Sequence, residues 1–521
     1  MSVEYADHQK RAIAYQQNNP YNILAMSTGT GKSVTTIGSM LMNLYTQKLN
    51  KCVFVCTKGS IGEVENDMNK FYSFKPMELN SFENVYRFFS EDNTVAVTRY
   101  EWLKHFDINF MQKISQQNNI GFWWDEAQRL KNGSKDDKGL TGTQAHIYAR
   151  NLRPLCKTFS LVTATPIMCT LDDLWSLMHL AQPEILGTFD TFCNNFYERQ
   201  LRPHPRLGKY RKTKCPTCGS KLIYNNGFDW CPNPWCQSIE TPNGFIPYRR
   251  QVKSVWELIE YKNVELLSQL IKPYMFCYFP KQNIEYHIHN FELSGESAVK
   301  YNNVAKDLLN ENSENTMPFA TRLIELQYVV DRSKQKAEEL YRLANKIKYK
   351  GFVLYLSLYG TNGYYDDKST LDKVCEVLDQ VEGLSYKTYC GKDDDDERSE
   401  AKKWFQSDPV NKCLIITEAG GASLNLQQTD QFVFLSMPQG FGKISQALGR
   451  IVRLFSTFKT FHIHVLQASQ TIDEYKFMCF TMMSEIIYKL MNNQLIELTT
   501  PINYNSTLKS LIRNKYCWKN S

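Results

Sequence analysis

The sequence predicts an α/β protein in which two parallel sheets, each covered by helices, flank an irregular insert. Three observations carry this. Residues 21–180 alternate short apolar runs with helical patterns, the alternation resumes from about residue 345, and residues 183–340 break it. In the first part "YNILAMS", "KCVFVCT", "NTVAVTR", "IGFWWDE" and "TFSLVTAT" read as strands, each followed by a polar or amphipathic segment. Near-continuous apolar strands separated by helices are the pattern of a parallel sheet buried on both faces. In the last part "GFVLYLSLYG", "YKTYCG", "KCLIITEAGG", "QFVFLSMP" and "TFHIHVLQ" repeat it. Between them lie prolines, a basic stretch, a cysteine cluster and helical segments such as "ELLSQLIKPYM".

A chain of 521 residues can bury the cores of two to four domains. An apolar share of 42% and a charged share of 22% exclude global disorder. No apolar run reaches the roughly 18 residues that cross a bilayer. The start "MSVEYADHQKRAIAYQQ" lacks the profile of a secretory signal. The expectation is a non-secreted protein of the cytoplasm, nucleoid or nucleus with no membrane partner. Most of the fifteen cysteines are scattered in or beside apolar runs, as small buried thiols are, and a disulfide framework is not expected. The run "KDDDDERSE" precedes a helical pattern, where acids in the first turn suit the helix dipole.

The net charge is +7, yet residues 199–253 alone hold eleven Lys/Arg against two acids. That local excess suits a polyanionic partner or a solubilising surface.

After the first strand comes "AMSTGTGKSVTTI". Gly29 and Gly31 let the backbone curl so that its N–H groups, with those of Thr28 and Thr30, face phosphate oxygens. Lys32 adds a positive charge and the Ser33 hydroxyl can ligate Mg²⁺. The helix that starts here points its positive end at the same place. Met26 stands where the full pattern has glycine. Hydrolysis of a nucleoside triphosphate also needs a carboxylate for the metal and a group that orients water. Asp125, holding Mg²⁺ through water, and Glu126, polarising the nucleophile, fit that need at the end of "IGFWW". The tryptophans before them are expected to pack in the core. Far downstream, "QALGRIVR" spaces Arg450 and Arg453 to share one helix face, suited to stabilising charge on a transferring phosphate.

As an ordered set these segments resemble helicase superfamily two, and within it the Swi/Snf-like double-stranded DNA translocases. "DHQKRAI" is similar to the adenine-reading segment with Gln9, "GTGKS" to motif I, "TRYEWL" to the segment after motif Ia and "DEAQRLKN" to motif II. "LVTATPI" is similar to motif III, "LDDLWSLMHLAQPEILGTFDTF" to the segment after it, and "ITEAGGASLNLQQTDQFVFLSMP" and "QALGRIVR" to motifs V and VI. The resemblance covers residues 5–200 and 270–475. It implies two RecA-like lobes with ATP between them and nucleic acid across both. It carries Gln128 and Gln446 into the nucleotide site, Gln128 as a hydrogen-bonded link to the far lobe. Thr163, Thr165, Thr417, Gly420, Gly421 and Asn425 become candidates for coupling or backbone contact. The chain departs from the family at Gln128, where His is usual, at Glu418, where Arg is frequent, and in "PYMFCYF", which lacks paired arginines. The expected divisions are a first lobe over 1–182, an insert over 183–340, a second lobe over 341–480 and a helical extension over 481–521. Compact size favours the viral and phage members of this group.

Inside the insert, "CPTCGSKLIYNNGFDWCPNPWC" spaces Cys215, Cys218, Cys231 and Cys236 as C-x₂-C, twelve residues, C-x₄-C. Four thiolates so spaced can close a tetrahedral structural Zn²⁺ site at about 210–240, its two knuckles joined by a hairpin around "NNG". The stretch is similar to the zinc ribbons of bacterial type I topoisomerases, which implies single-strand contact through Tyr224, Phe228, Trp230 and Trp235. A purely structural ribbon is the alternative. The resulting expectation is an ATP- and Mg²⁺-dependent DNA translocase or helicase acting on duplex, forked or branched DNA in replication, repair or recombination. An RNA-directed ATPase and an ATP-switched nucleic-acid adaptor remain the alternatives.

Overall fold

A computed structural model describes residues 4–131, 143–203, 220, 223–225, 228–230, 254–309, 319–360, 368–418, 424–453 and 456–492. The chain opens with α1 (Asp7–Asn18), β1 (Tyr21–Met26), α2 (Lys32–Tyr45), β2 (Lys51–Cys56) and α3 (Ile61–Tyr72). Then come β3 (Met77–Glu78), α4 (Phe82–Ser90), β4 (Val95–Arg99), α5 (Ile108–Ser115), β5 (Ile120–Trp124), α6 (Gln144–Leu152) and β6 (Thr158–Thr163). The strands predicted in this region are all present. They form a parallel sheet whose seven strands run β11-β1-β6-β5-β2-β4-β3, β11 being Met275–Tyr278. β2 and β5 are buried along their whole length, as unbroken apolar runs require. Trp123 and Trp124 project to opposite faces of β5: Trp124 joins Phe122 and Phe159 in one core cluster, Trp123 joins Phe54 and Ile37 in another. Both are core residues, as expected from the run.

Three elements, α7 (Leu171–Ala181), α8 (Phe189–Phe196) and β7 (Tyr197–Pro203), lead into the insert. There β8 (Ile223–Asn225) and β9 (Phe228–Trp230) form the antiparallel hairpin expected around "NNG". β10 (Ser254–Tyr261) returns antiparallel to β7. Cys215, Cys218, Cys231, Cys236 and Trp235 lie outside the described residues.

After α9 (Val264–Ile271) and β11 the chain crosses to the second sheet through β12 (Ile284–Phe291). The helices α10 (Gly295–Leu309), α11 (Phe319–Asp331) and α12 (Lys334–Ile347) precede β13 (Phe352–Leu356), α13 (Thr370–Leu378), β14 (Ser385–Tyr389), α14 (Asp395–Ser407) and β15 (Lys412–Thr417). β16 (Gln431–Phe434), α15 (Phe441–Leu448), β17 (Phe461–Ala468) and α16 (Ile472–Asn492) complete it. The second sheet, also parallel, runs β12-β17-β16-β13-β15-β14. The acidic run does open a helix: Asp394 caps α14 and pairs with Glu397 in a capping box.

The sheets divide the chain differently from the expected boundaries. β11 falls inside 183–340 yet adds to the edge of the first sheet, and β12 in the same interval is the edge strand of the second. Short or alternating strands carry little apolar signal of their own, and partner strands far away in sequence recruit them. α16 also crosses the expected boundary near 480. Phe480 packs with the second lobe, while Met483, Ile487, Leu490 and Met491 pack into the first-lobe core. Ser268 Oγ on α9 donates to the carbonyl of Leu490 at 3.1 Å. The helix is a strap joining the lobes. No helix among the described residues is long and apolar enough to cross a membrane.

Candidate active site

The phosphate-loop candidate fills the turn between β1 and α2. Gly29 and Gly31 take φ of 74° and 79°, a left-handed backbone that glycine enters without a steric cost. The side chain of Thr30 ties the loop down by donating to the Ser27 carbonyl at 2.7 Å. Lys32 begins α2, and its ammonium donates to the same carbonyl at 3.2 Å. Burial depresses the pKa of Lys32, and Glu126 and Asp125 oppose that shift. Ser33 stands in the first turn of α2.

Asp125 directly follows β5, and its N–H donates to the Val55 carbonyl at 2.8 Å. Glu126 adopts φ 51°, a strained choice for a residue with a Cβ that swings its carboxylate out of the strand direction. Burial raises the pKa of Asp125, and Glu126 beside it adds to the shift against the pull of Lys32. Tyr100 Oη donates to the Asp125 carbonyl at 2.7 Å, fixing the strand end from the "TRYEWL" segment.

Gln128 sits in the turn after Glu126. Its amide nitrogen donates to the Glu126 carboxylate, and its oxygen accepts from Thr163 Oγ1 at 2.6 Å. From the sequence Gln128 is expected to link to the far lobe by hydrogen bonding, and its own bonds reach that lobe only through other residues. Its hydrogen bonds among the described residues stay in the first lobe, because the turn aims the side chain along the sheet end toward β6. The crossing to the second lobe comes further on. Thr163 Oγ1 accepts from the Thr165 N–H at 3.0 Å, and Thr165 Oγ1 reaches Met168 Sδ at 3.2 Å. The Met168 carbonyl accepts from the N–H of Gly442, in the first turn of α15, at 3.0 Å. Gly442 is needed there, since a Cβ would collide with Met168. Asp173 holds this loop in shape, with Oδ2 accepting from the N–H groups of Met168, Cys169 and Thr170 at 2.9, 2.7 and 3.4 Å.

The second lobe delivers its arginines differently from the expected shared helix face. α15 ends at Leu448. Gly449 then packs so tightly on Thr28 that a Cβ would overlap the threonine side chain. Tightened turns follow, with Arg450 N–H donating to the Ala447 carbonyl at 3.2 Å and Val452 N–H to that of Leu448 at 2.9 Å. Arg450 and Arg453 thus stand on a turn beyond the helix. Arg453 lies over Gly29, whose added Cβ would be 2.7 Å from Arg453 Cδ, and its Nη2 donates to the Leu424 carbonyl at 3.1 Å. Burial pushes Arg450 down to about 10, with Glu126 across the cleft opposing. The Nε atoms of both arginines are buried with no hydrogen-bond partner among the described residues. Gln446 is half-buried on α15.

Gln9, near the start of α1, is buried and folded inward. Its oxygen accepts from the Ala6 N–H at 2.9 Å and its nitrogen donates to the Thr30 carbonyl at 3.4 Å. The sequence did not single out its neighbour His8, which reaches the same carbonyl at 3.0 Å and stacks on Tyr278 with centroids 4.1 Å apart. The Tyr278 carbonyl accepts from Ser27 N–H at 3.0 Å, so β11 braces the entrance of the loop. Thr417 ends β15 in a buried position. Asn425 gives its carbonyl to Gln406 Nε2 at 2.7 Å, and its own Oδ1 is buried without a partner among the described residues. Glu418 pairs with Lys443 at 2.8 Å. Gly420 and Gly421 lie outside the described residues. Asp173 and the Met168–Gly442 contact also escaped the sequence. Only Asp173 left a signal, the Thr170-x-x-Asp173 capping pattern ahead of an apolar run.

Chemistry divided in this way, a lysine and carboxylates on one lobe and arginines on the other, belongs to ATP-hydrolysing motors of the helicase and translocase class. Residues 8–336 match the SNF2-related domain and residues 335–455 the helicase conserved C-terminal domain. The chain belongs to the SNF2-related family. It is 28% identical over 237 residues to the mouse (Mus musculus) "DNA excision repair protein ERCC-6-like", covering 42% of this chain and 17% of that protein. It is 24% identical to the "Probable ATP-dependent DNA helicase CHR23" of Arabidopsis thaliana, over 88% of this chain and 40% of that one. Against the "Putative ATP-dependent RNA helicase L538" of Acanthamoeba polyphaga mimivirus, identity is 22% over 91% of this chain and 89% of the relative. The solved Sulfolobus solfataricus SWI2/SNF2 ATPase core in complex with dsDNA aligns over 99% of this chain and 95% of its own, at 16% identity and TM-score 0.38.

Proposed function

We propose that this chain is an ATP-driven DNA translocase or helicase that remodels branched or forked DNA or displaces bound proteins in replication, repair or recombination. The observation that carries the reading is the chain of contacts from Glu126 through Gln128, Thr163 and Met168 to Gly442. It joins the acidic pair to the helix that leads to Arg450 and Arg453, so that a change at the nucleotide bears on the lobe junction. Gly29 to Ser33 cradle the phosphates, Lys32 and the two arginines balance their charge, and Glu126 orients the attacking water. Gln9, His8 and Tyr278 frame the base, with Gln128 and Gln446 lining the cleft. The buried, unpartnered Nε atoms of Arg450 and Arg453 and the half-buried Lys32 fit a polyanion between the lobes. Asp125 and Ser33 would hold Mg²⁺, whose charge neutralises phosphate oxygens, and a buried carboxylate beside a hydroxyl is a suitable hard-oxygen donor set. Thr163, Thr165, Thr417, Gly420, Gly421 and Asn425 remain the candidates for coupling to the nucleic acid or for contact with its backbone.

In the insert, Cys215, Cys218, Cys231 and Cys236 would hold structural Zn²⁺, and the ribbon, set in the basic stretch, would contact single-stranded DNA at the fork. The β8–β9 hairpin supports this reading. The relatives named for DNA excision repair and as a DNA helicase support DNA as the track. The viral relative named as an RNA helicase, matched along nearly its whole length, favours RNA as the second reading. ATPase rates with duplex, forked and single-stranded DNA and with RNA separate them. Stimulation by DNA, strongest with forks, is expected. RNA-only stimulation would replace the reading, and none by any nucleic acid would end it.

A further inference from the structure

Four of the nine histidines in the chain lie on the edge strand β12 of the second sheet and on its neighbour β17. β12 and β17 pair in parallel with Glu285 beside His462 and His287 beside His464. Side chains two residues apart share a face, so Glu285, His287 and His289 line up along β12 against His462 and His464 on β17. The other face of these strands carries Tyr286 and Ile463, packed toward α15 and α16. The histidine face is covered instead by α12.

The two histidine pairs are not equivalent. His289 Nε2 and His464 Nδ1 lie 3.1 Å apart, and the outer nitrogens of this pair are engaged as well. His464 Nε2 is 3.0 Å from Gln431 Oε1, and His289 Nδ1 is 3.3 Å from Glu339. Because the Gln431 amide nitrogen is committed to Asp430 at 2.7 Å, its oxygen faces His464, which donates from Nε2 and leaves Nδ1 to accept. That pair is a closed hydrogen-bonded ladder.

The other pair converges with a carboxylate. His287 Nε2 is 3.1 Å from His462 Nδ1, Glu285 Oε2 is 3.3 Å from His462 Nδ1, and Glu285 Oε2 is 3.9 Å from His287 Nε2. The point equidistant from the three atoms is about 2.0 Å from each, which is the length of a zinc–imidazole or zinc–carboxylate bond. The second nitrogen of His462 faces the Asp430 carboxylate at 3.9 Å, and the His462 N–H donates to the Asp430 carbonyl at 2.8 Å. At 3.9 Å the carboxylate does not hydrogen-bond the imidazole and acts on it through its charge alone. All three side chains keep contact with solvent, which leaves room for water as a fourth ligand.

We propose that Glu285, His287 and His462 form a site for a borderline divalent cation of the zinc class, separate from the cysteine cluster and from the ATP-bound metal. Two imidazoles and one carboxylate suit Zn²⁺, Co²⁺ or Ni²⁺ rather than Mg²⁺ or Ca²⁺. The site clamps the strand that enters the second lobe. Asn283, next to β12, donates from Nδ2 to Thr460 Oγ1 at 2.7 Å and accepts at its carbonyl from Phe461 N–H at 2.9 Å. A cation bridging Glu285 and His287 to His462 closes the same junction one step further along. It pins the edge strand where the chain has just crossed from the first lobe.

Equilibrium dialysis of the full chain against Zn²⁺, followed by metal analysis, tests this. The wild type should hold one Zn²⁺ per chain more than H287A/H462A, whatever the cysteine cluster binds. With Co²⁺ the difference spectrum should show ligand-field bands without thiolate charge transfer. Zn²⁺ should raise the thermal midpoint of the wild type more than that of the variant. Glu285→Gln, a change at a half-exposed side chain, should weaken the site by roughly tenfold or more and Asp430→Asn by a smaller factor. Equal stoichiometry in the wild type and H287A/H462A, or a site that fills only at millimolar Zn²⁺, would overturn the proposal and leave a second hydrogen-bonded ladder. If H287A/H462A fails to fold by circular dichroism, unchanged Zn²⁺ affinity in Glu285→Gln overturns it equally.

Discussion

The interior of the second lobe and the cleft between the lobes hold charge in opposite ways. In the lobe interior, the fully buried Lys336 ammonium lies 3.0 Å from Asp331 and 2.7 Å from Asp473. Gln327 donates to both carboxylates at 2.8 Å, and Ser436 Oγ donates to Asp331 at 3.0 Å. Lys476 joins through Gln327 at 2.7 Å. Every charge there has a partner, and the cluster ties α11, α12 and α16 to the end of β16. At the cleft Asp125 is buried, Lys32, Glu126, Arg450 and Arg453 are half-buried, no ion pair joins them among the described residues, and the arginine Nε atoms have no hydrogen-bond partner there. Closed networks rigidify a fold, whereas unspent charge in an enclosed site is what a ligand can satisfy. The contrast separates scaffold from site without reference to any motif.

The largest effects should come from breaking the cleft. Glu126→Gln should lower steady-state ATP turnover by roughly 10²–10⁴-fold while ATP binding persists. Lys32→Ala should lose both, and thermal unfolding should shift little for either, because these charges are not mutually satisfied. A stability loss matching that of a core variant would erase the distinction.

Breaking the scaffold cluster should do the reverse. Lys336→Met leaves two buried carboxylates without their counter-ion and should cost about 3–5 kcal/mol in denaturant unfolding, with little change in turnover per folded molecule. The pH dependence sharpens this. Burial works against the Lys336 charge, but Asp473 and Asp331 more than offset it, so its folded pKa stands above the ordinary 10.5. The stabilisation is therefore complete below 10.5 and disappears as pH rises through the higher folded value. Unfolding midpoints measured from neutral to strongly alkaline pH should fall more steeply for the wild type than for Lys336→Met.

The smallest effect belongs to the link between the two regions. Asp173→Ala removes the acceptor for three N–H groups of the loop that meets α15 and should cost about 1 kcal/mol, as loss of a helix cap does. Nucleic-acid-stimulated ATPase should fall more than the basal rate, because the loop carries the crossing at Met168 and Gly442. Equal loss of both rates would mean that the loop only supports the fold.

Much of this was legible in contiguous residues. The apolar runs predict the central strands, "GTGKS" predicts the glycine-bent loop, and "DDDDERSE" predicts a capped helix start, because burial period, backbone freedom and capping are local properties. Less legible were β11 and β12. The first is too short to show a pattern, and the second alternates with histidines at positions that burial would normally make apolar. The shared helix face expected for Arg450 and Arg453 failed because Gly449 must fit against Thr28, a contact more than 400 residues away in sequence.

By itself the sequence determined the α/β class, the two sheets, the glycine-bent loop after the first strand and the acidic pair at the end of a buried strand. Only the tertiary structure decided that β11 braces the loop, that α16 straps the lobes together and that Gln128 works through Thr163. It alone brought Glu285 and His287 to His462, from strands about 175 residues apart. Periodicity and turn chemistry follow from neighbours along the chain. Strand order and the meeting of lobes follow from which surfaces bury best together, and no local stretch encodes that.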